Sequence, residues 1–217
     1  MFTGIIEEIG RVGAARREGG GIRLTVEAPS SSSELRVNDS VSLNGACQTV
    51  IAKSGRSFTV QAVEETLSKT TLGDFGRGTE VNLELPVRLN GRLGGHLVLG
   101  HIDCVGTIES VETKESSHMI RISFPAPFAR YVIPVGSIAV DGISLTVASA
   151  GGNEFSVAVI PHTLSKTTLS HARVGMRVNL EFDVIGKYIE RLVAAEKAEA
   201  APAPLTADKL RGWGYNI

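Results

Sequence analysis

The chain has 217 residues, of which 42% are apolar, and its formal net charge is −1. This apolar content suffices for a folded core and argues against general disorder. The near-neutral charge, without a run of lysine or arginine, argues against nucleic acid or an anionic membrane as the main partner. No apolar run approaches the ~20 residues of a membrane span, and Glu7 and Glu8 argue against a signal peptide at the start.

The cysteine content points to a reducing compartment. Cys47 and Cys104 are the two cysteines of the chain, and both are flanked by strand-like sequence. Two cysteines do not make a disulfide framework. We therefore expect a cytoplasmic protein.

Short strands dominate the prediction for the first half of the chain. Residues 22–27 alternate apolar and polar side chains, which is typical of a half-buried strand. Residues 49–53 and 58–63 are rich in β-branched side chains, which favour strands. The same kinds of segment return in the second half.

Turn signals separate these strands. Asn44-Gly45 and Asp141-Gly142 are typical of two-residue hairpins, whose type I′ turn needs positive φ at both positions. Residues 53–57 and 150–153 are further predicted turns. About six short strands in each half, bounded in this way, predict a small closed barrel in each half.

Three other segments follow different patterns. Residues 64–72 have mixed periodicity, and we predict one short helical turn there, within the barrel. Residues 90–95 contain three glycines and are predicted to be a linker. Residues 187–200 are rich in helix formers and predict a C-terminal helix.

The predicted helix has one apolar face and is followed by a proline-containing linker. Ile185, Ile189, Leu192 and Val193 recur at helical spacing. Such a stripe could build a contact between subunits or cover the chain's own barrel, and it is too short to argue a coiled coil. Residues 201–204 form a stiff linker, and the tail of residues 205–217 receives no predicted role.

The dominant feature of the sequence is a repeat. The heptapeptide TLSKTTL occurs at residues 66–72 and again at 163–169. Three further pairs align: residues 44–50 with 141–147, 81–85 with 178–182, and 3–10 with 99–106. The period is the size of a small domain and too long for a solenoid unit of ~20–50 residues. We interpret the chain as a duplicated domain, with copies at 1–90 and 97–185, a helix at 186–201 and a tail at 202–217.

A duplicated fold offers two similar pockets. Several polar positions match between the copies: Thr49 with Thr146, Thr66 with Thr163, and Ser40 with Ser137. Since residues i and i+2 share a face of a strand, Cys47 lies beside Thr49, and Ser144 beside Thr146. These positions could also be ordinary strand positions, because threonine favours strands.

Other positions differ between the copies, as expected for two pockets that bind the same ligand but have different roles in the reaction. The differing pairs are Ile5 with His101, Cys47 with Ser144, Gln48 with Leu145, and Pro86 with Asp183. His101 is a candidate acid or base near neutral pH, and Asp183 could orient it. A single histidine is also compatible with a purely structural role.

No metal or nucleotide cofactor is predicted. His96 and His101 would face opposite sides of one strand, and Cys104 adds no standard zinc spacing. The glycine-rich residues 94–101 lack both the dinucleotide fingerprint and the Walker pattern.

Taken together, the motifs resemble the riboflavin synthase family of the α-subunit type. They are the MFTGI start, NGACQTV, ETLSKTTL, GGHLVLGHID, DGISLTV and the C-terminal helix, and the resemblance covers residues 1–200. It implies an all-β fold of two tandem six-stranded Greek-key β-barrels with a C-terminal α-helix.

The resemblance also implies an activity that needs no cofactor. Two molecules of 6,7-dimethyl-8-ribityllumazine react, and one donates a four-carbon unit to the other. The products are riboflavin and 5-amino-6-ribitylamino-uracil. In the family the N-terminal barrel of one subunit faces the C-terminal barrel of its neighbour within a homotrimer, so identical substrates take opposite roles.

The family's substrate-binding residues fall on two sets of positions here. The N-terminal pocket would comprise Gly4, Ile5, Ile6, Cys47, Gln48, Thr49, Gln61, Ala62, Val63, Glu64, Glu65 and Thr66. The C-terminal pocket would comprise Gly100, His101, Ile102, Ser144, Leu145, Thr146, Ala158, Val159, Ile160, Pro161, His162 and Thr163.

The implied chemistry assigns candidate catalytic roles. The substrate loses a proton from its C7 methyl group, and we expect His101 to transfer it, with Ser144 beside it. A transient nucleophile at C7 of the partner ring could be Cys47, Ser40 or a water held there. Asp183 is expected to assist in the C-terminal pocket.

Two alternative functions, one open question of assembly and one departure remain at the level of sequence. The first alternative is a structural duplication without a ligand, against which the paired polar faces and the full set of motifs argue. Lumazine-carrying antenna proteins look similar and hold their ligand without converting it, although one pocket is enough for that purpose. The sequence leaves open whether the trimer docks inside a shell of lumazine synthase. Val135 stands where some family members carry a lysine that reaches the neighbour's pocket.

Overall fold

The computed structural model describes residues 1–199 and 207–214, without the side chains of residues 195–199. The chain divides into a unit of Met1–Val184, which contains all the strands described below, and a unit of Ile185–Ile217. Among the described residues, none of the helices combines the length and the apolar character that crossing a membrane requires.

The first barrel contains six strands. They are β1 (Glu8–Glu18), β2 (Gly21–Glu27), β3 (Ser40–Leu43), β4 (Ala46–Ser54), β5 (Ser57–Ala62) and β6 (Glu80–Glu84). They pair in the order β1-β2-β5-β4-β3-β6, and β6 closes on β1. Helix α1 (Pro29–Glu34), helix α2 (Glu64–Lys69) and a 3-10 helix (Thr71–Asp74) lie in the connections.

The second barrel repeats this order. Its strands are β7 (Cys104–Thr113), β8 (His118–Ser123), β9 (Ser137–Val140), β10 (Ile143–Gly151), β11 (Glu154–Val159) and β12 (Arg177–Phe182). The connections contain helix α3 (Pro161–Ser165) and two 3-10 helices, Ala126–Tyr131 and Thr168–His171. All pairs of neighbouring strands are antiparallel, and strands consecutive in the chain are not always neighbours, as in a Greek key. The predicted fold class is confirmed.

Local sequence accounts for much of this architecture. In β2 the apolar residues Ile22, Leu24 and Val26 are buried, and the residues between them are not, as the alternation predicts. The predicted hairpin at Asn44-Gly45 has φ of 43° and 81°, and its counterpart Asp141-Gly142 has φ of 46° and 79°. Both are the two-residue turns with positive φ that were predicted.

Each barrel encloses its own core of buried apolar side chains. The largest fully buried side chains include Phe58 in the first barrel and Phe155 and Phe182 in the second. Bulges interrupt the register of β1 and β4, and of β7 and β10 at the corresponding places. Bulges of this kind bend strands and help to close a sheet into a barrel.

Two helical predictions need adjustment. The segment at residues 64–72 forms α2 followed by a 3-10 helix rather than one turn. The C-terminal helix, α4 (Val184–Glu199), begins two residues before the predicted span of 186–201, and a short helix, α5 (Ala207–Gly212), lies in the tail. The predicted linker at residues 201–204 lies outside the described residues.

Candidate functional site

Two arms meet between the barrels. We use "first arm" for residues 1–6 and "second arm" for residues 96–102, which precede the first and the second barrel. Phe2 and Val98 form an antiparallel bridge, with Phe2 N donating to Val98 O at 2.7 Å and Val98 N donating to Phe2 O at 3.2 Å. The arms therefore run alongside each other in opposite directions.

Each arm continues to the barrel that it does not precede. Ser144 N, on β10 of the second barrel, donates to Gly4 O at 2.8 Å. Cys47 N, on β4 of the first barrel, donates to Gly100 O at 2.8 Å. Both glycines have positive φ, and a Cβ on Gly4 would lie 2.6 Å from Ser144 Cβ. The close approach therefore requires glycine at both places.

A pocket of about 410 Å³ lies against the second barrel, and we call it the Ser144 pocket. It is lined by Gly4, Ile5, Ile6, Glu7, Ile143, Ser144, His162, Thr163, Lys166 and Thr167. The first arm supplies one wall, and β10 with α3 and the residues after it supplies the other.

A pocket of about 220 Å³ lies in the corresponding place against the first barrel, and we call it the Cys47 pocket. It is lined by Ala46, Cys47, Gln48, Glu65, Thr66, Lys69, Thr70, Gly100, His101 and Ile102. The second arm supplies one wall, and β4 with α2 and the residues after it supplies the other.

This arrangement corrects the predicted grouping of the arms. The prediction combined Gly4, Ile5 and Ile6 with the first barrel, and Gly100, His101 and Ile102 with the second. In the structure the two sets are exchanged. The alignment matched each arm to the barrel that follows it, whereas the bridge between the arms carries each one across.

Other predicted site residues do not line the two pockets. This group is Ser40, Thr49, Gln61, Ala62, Val63, Glu64, Leu145, Thr146, Ala158, Val159, Ile160, Pro161 and Asp183. Thr49 shares the outer face of β4 with the half-buried Cys47 but is exposed. Ser40 is paired with Thr49 across β3 and β4.

Ser144 is bound to a histidine that the sequence analysis considered only as a metal ligand. His96 Nδ1 lies 2.7 Å from Ser144 Oγ. Burial lowers the pKa of His96, and the nearby Asp183 carboxylate opposes this shift to a smaller extent. The imidazole is therefore favoured in its neutral form, in which Nδ1 can accept the hydroxyl proton of Ser144.

His101 lies elsewhere. The prediction that it stands beside Ser144 is wrong, because it lines the Cys47 pocket with an exposed side chain. The two pockets thus differ in their polar groups. One has a hydroxyl bound to a buried histidine, and the other has a thiol and an exposed histidine.

Residues that the sequence analysis missed include the two motif lysines, Lys69 and Lys166. Their identity in both copies of TLSKTTL was the available signal. His96 has no counterpart in the first copy, so the comparison of the two copies gave no signal for it. In the structure the preceding Gly95 packs closely against the first arm and Ser144, because a Cβ there would meet Thr3 O at 2.2 Å and Ser144 Oγ at 2.8 Å.

Within the part of the chain that the structure describes, histidine, cysteine and acidic side chains do not come together in any group of three or more that could hold a metal ion.

Comparison with known proteins shows the family. The model of the lumazine binding domain matches residues 3–86 and 99–183. The riboflavin synthase of Actinobacillus pleuropneumoniae is 39% identical over 215 residues, which covers 99% of this chain and 100% of the relative. That of Mycobacterium bovis is 45% identical over 197 residues, covering 89% of this chain and 98% of the relative.

Solved structures agree on the fold. A crystal structure of LumP complexed with riboflavin superposes with a TM-score of 0.79 at 21% identity, covering 84% of this chain and 99% of that one. A second, of LumP complexed with 6,7-dimethyl-8-(1'-D-ribityl) lumazine, has a TM-score of 0.76 at 21% identity, over 83% and 98%. The chain belongs to the riboflavin synthase family, with two lumazine binding domains in tandem, and the resemblance inferred from its motifs is confirmed.

Proposed function

We propose that this protein converts two molecules of 6,7-dimethyl-8-ribityllumazine into riboflavin and 5-amino-6-ribitylamino-uracil. A four-carbon unit passes from one lumazine to the other, so the atoms of the two substrates are all found in the two products. The reaction needs no external oxidant or reductant. Family membership at 39–45% identity over most of the chain supports this activity.

The observation that carries the proposal is the pair of equivalent pockets with unlike polar groups. Cys47 and Ser144 occupy matching positions of the repeat, each at the start of a pocket strand and each bonded to an arm. Two equal frameworks suit two identical ligands, and the chemical difference between the pockets suits their opposite roles.

Proton transfer from the C7 methyl group needs a base. Behind the Ser144 pocket, whose lining does not include His96, the neutral imidazole of His96 accepts from Ser144 and orients its hydroxyl. Asp183 acts on His96 through its charge. In the Cys47 pocket, His101 transfers the proton, and Cys47 or a water held near it supplies the transient nucleophile to C7 of the partner ring. Ser40 remains a further candidate for the nucleophile.

Positioning supplies much of the expected rate enhancement. Holding two reactants in a productive geometry turns a bimolecular step into a local one. We propose that the first barrel of one subunit faces the second barrel of its neighbour, in a cytoplasmic homotrimer. Each reacting pair of lumazines then lies between two subunits.

The direct experiment mixes purified chain with the lumazine and follows the absorbance of riboflavin. Formation of riboflavin supports the enzyme. A bound lumazine with an unchanged composition would instead indicate a carrier, and an absence of binding would contradict both functions.

The proposed roles of the histidines need a kinetic comparison. We expect His101→Gln to lower kcat by about 100-fold, the low end of general acid–base contributions. His96→Gln should lower kcat less, because His96 acts by orienting the hydroxyl of Ser144. His171→Gln is the control, because His171 is exposed, pairs with Glu80 and lines neither pocket. Near-normal turnover of His101→Gln would remove His101 from the mechanism.

A further inference from the structure

The repeated tripeptide Asn-Leu-Glu places four polar side chains in the interior. It lies at residues 82–84 on β6 and at 179–181 on β12. Asn82 and Asn179 are fully buried, and Glu84 and Glu181 are 3% and 2% exposed. Burial of amides and carboxylates is unfavourable unless hydrogen bonds compensate, so the partners of these side chains indicate what the tripeptide does.

Glu84 holds the first arm. Its Oε1 accepts from Thr3 N at 2.6 Å and from Thr3 Oγ1 at 2.8 Å, and its Oε2 accepts from Gly4 N at 2.9 Å. Gly4 lines the Ser144 pocket. A glutamate on the last strand of the first barrel thus fixes a wall of the pocket on the second barrel.

Glu181 does the same for the second arm. Its two carboxylate oxygens accept from Leu99 N at 2.7 Å and from Gly100 N at 2.9 Å. Gly100 lines the Cys47 pocket. Here a glutamate on the last strand of the second barrel fixes a wall of the pocket on the first.

Asn82 crosses to the second barrel as well. Its Oδ1 accepts from Thr168 N at 2.8 Å, and its Nδ2 donates to Asp141 O at 3.0 Å. The neighbouring Thr167 Oγ1 donates to Thr163 O at 2.8 Å, which ties this segment to α3. Thr163 and Thr167 both line the Ser144 pocket.

Asn179 makes the corresponding bonds to the first barrel. Its Oδ1 accepts from Thr71 N at 2.7 Å, and its Nδ2 donates to Asn44 O at 2.8 Å. Thr70 Oγ1 donates to Thr66 O at 2.8 Å. Thr66 and Thr70 both line the Cys47 pocket.

We infer that the Asn-Leu-Glu tripeptide of each barrel positions the ligand pocket of the other barrel. Asn82 and Glu84 are positioning residues for the Ser144 pocket, and Asn179 and Glu181 for the Cys47 pocket. Each tripeptide holds both walls of the pocket on the other barrel. Its glutamate binds the arm, and its asparagine binds the backbone of Thr168 or Thr71, just after the residues of the TLSKTTL motif that line the pocket. The choice of lumazine as the probe rests on the proposed function.

The inference predicts that substitutions act across the molecule. Glu84→Gln leaves one acceptor oxygen for the three donors, so the first arm loosens. We expect the affinity of the Ser144 pocket for the lumazine to fall about tenfold and that of the Cys47 pocket to change less than twofold. Glu181→Gln, the matched variant, should give the reverse pattern.

The two pockets can be followed separately by NMR of methyl-labelled threonine. Thr163 reports on the Ser144 pocket and Thr66 on the Cys47 pocket. If the tripeptides merely joined the barrels, each variant would weaken both pockets equally. If they stabilised only their own barrel, Glu84→Gln would weaken the Cys47 pocket. Either result overturns the inference.

A second measurement needs no ligand. The amide of Leu164 donates within α3 to Ile160 O, and that of Leu67 within α2 to Val63 O. We expect Asn82→Ser to accelerate hydrogen exchange at Leu164 at least tenfold and to leave Leu67 within twofold, with the opposite result for Asn179→Ser. If a variant accelerates exchange at both amides, or at neither, the tripeptide does not act specifically on the other barrel and the inference is contradicted. If the wild-type chain bound no lumazine while its two asparagine variants showed this exchange pattern, the proposed function would be refuted and the inference that each tripeptide positions the other barrel's pocket would be supported.

Discussion

Single residues distinguish two copies that are otherwise closely similar. The hairpin of the first barrel begins with Asn44, and that of the second begins with Asp141. Asn44 Oδ1 accepts from Asn82 N, and Asp141 Oδ1 accepts from Asn179 N, both at 2.7 Å. One turn therefore uses a neutral amide where the other uses a buried carboxyl group for the same bond.

This difference predicts a pH-dependent stability. Burial raises the pKa of Asp141 from 3.8 to about 7. Between these values the folded state keeps a proton that the unfolded state has lost, so stability falls as pH rises through this window. We expect Asp141→Asn to raise the free energy of unfolding by on the order of 1–4 kcal/mol at pH 8, and by roughly a third of that at pH 5, where only part of the window has been crossed.

Urea unfolding at the two pH values measures this difference, and Asn44→Asp is the matched control. That variant places a carboxyl group in the equivalent buried turn, so it should lower stability more at pH 8 than at pH 5. An equal effect of Asp141→Asn at both pH values would show that the carboxyl group does not titrate as proposed.

Val135 is a second residue that differs from its counterpart. It has a φ of 64° and its side chain is 82% exposed, whereas the equivalent Asn38 has a φ of 78°. Both amides bond to matching carbonyls, Val147 O at 2.9 Å and Val50 O at 2.8 Å. A left-handed conformation is unfavourable for β-branched residues and tolerated by asparagine.

We therefore predict that Val135→Asn raises the free energy of unfolding by about 1 kcal/mol. Chemical denaturation measures the change. Val174→Asn is the control, since Val174 is exposed and is not among the residues with positive φ. A similar gain from both substitutions would mean that the exposed amide side chain, and not the left-handed backbone conformation, causes the effect.

At the scale of elements, the arms depend on glycine for their close approach to the strands. Gly4 has a φ of 78°, and an added Cβ would lie 2.6 Å from Ser144 Cβ and 2.8 Å from Ser144 N. Such distances force the arm or the strand to move. Because Gly4 lines the Ser144 pocket, we expect this movement to change the shape of that pocket.

We expect Gly4→Ala to weaken ligand binding in the Ser144 pocket by about tenfold or more, the effect of losing one good contact. Binding of riboflavin, followed by NMR at Thr163, measures it. Gly19→Ala is the control, because Gly19 also has positive φ but has no atom within 4 Å of an added Cβ. Equal losses in the two variants would mean that backbone strain, and not the clash, weakens binding.

At the scale of the whole molecule, the duplication predicts the binding stoichiometry. Calorimetric titration with riboflavin should give two sites per chain, one in each pocket. The Cys47 pocket is the smaller, at about 220 Å³ against 410 Å³, so we expect the two affinities to differ. A single site per chain would leave the second barrel without the function proposed for it.

The exposed apolar side chains of the C-terminal helix support the prediction of a trimer. On α4, Ile185, Ile189 and Leu192 are 53%, 56% and 70% exposed, which is unusual for large apolar side chains unless a partner covers them. We expect a trimeric mass by light scattering, and loss of the trimer when Ile189 and Leu192 are both replaced by glutamate. Arg191→Gln, at another exposed position of α4, should keep the trimer. A monomeric mass for the wild-type chain would refute the proposed assembly.

Much of the fold follows from local sequence. The alternation of Ile22, Leu24 and Val26 defines the inner face of β2, and positive φ at the two hairpins follows from Asn-Gly and Asp-Gly. The repeat itself predicted two like domains, because the same local signals recur in the same order. These features depend on neighbours along the chain, which is why the sequence alone determined them.

The tertiary structure decided which segments share a pocket. The arm at Gly4 lies far from Ser144 in the chain but bonds to it, and the hydroxyl of Ser144 bonds to His96 and not to the predicted His101. Alignment of the two copies shows which residues are equivalent, but it does not show which barrel each arm contacts. That depends on the bridge between Phe2 and Val98 and on buried hydrogen bonds that form only when both barrels have folded against each other.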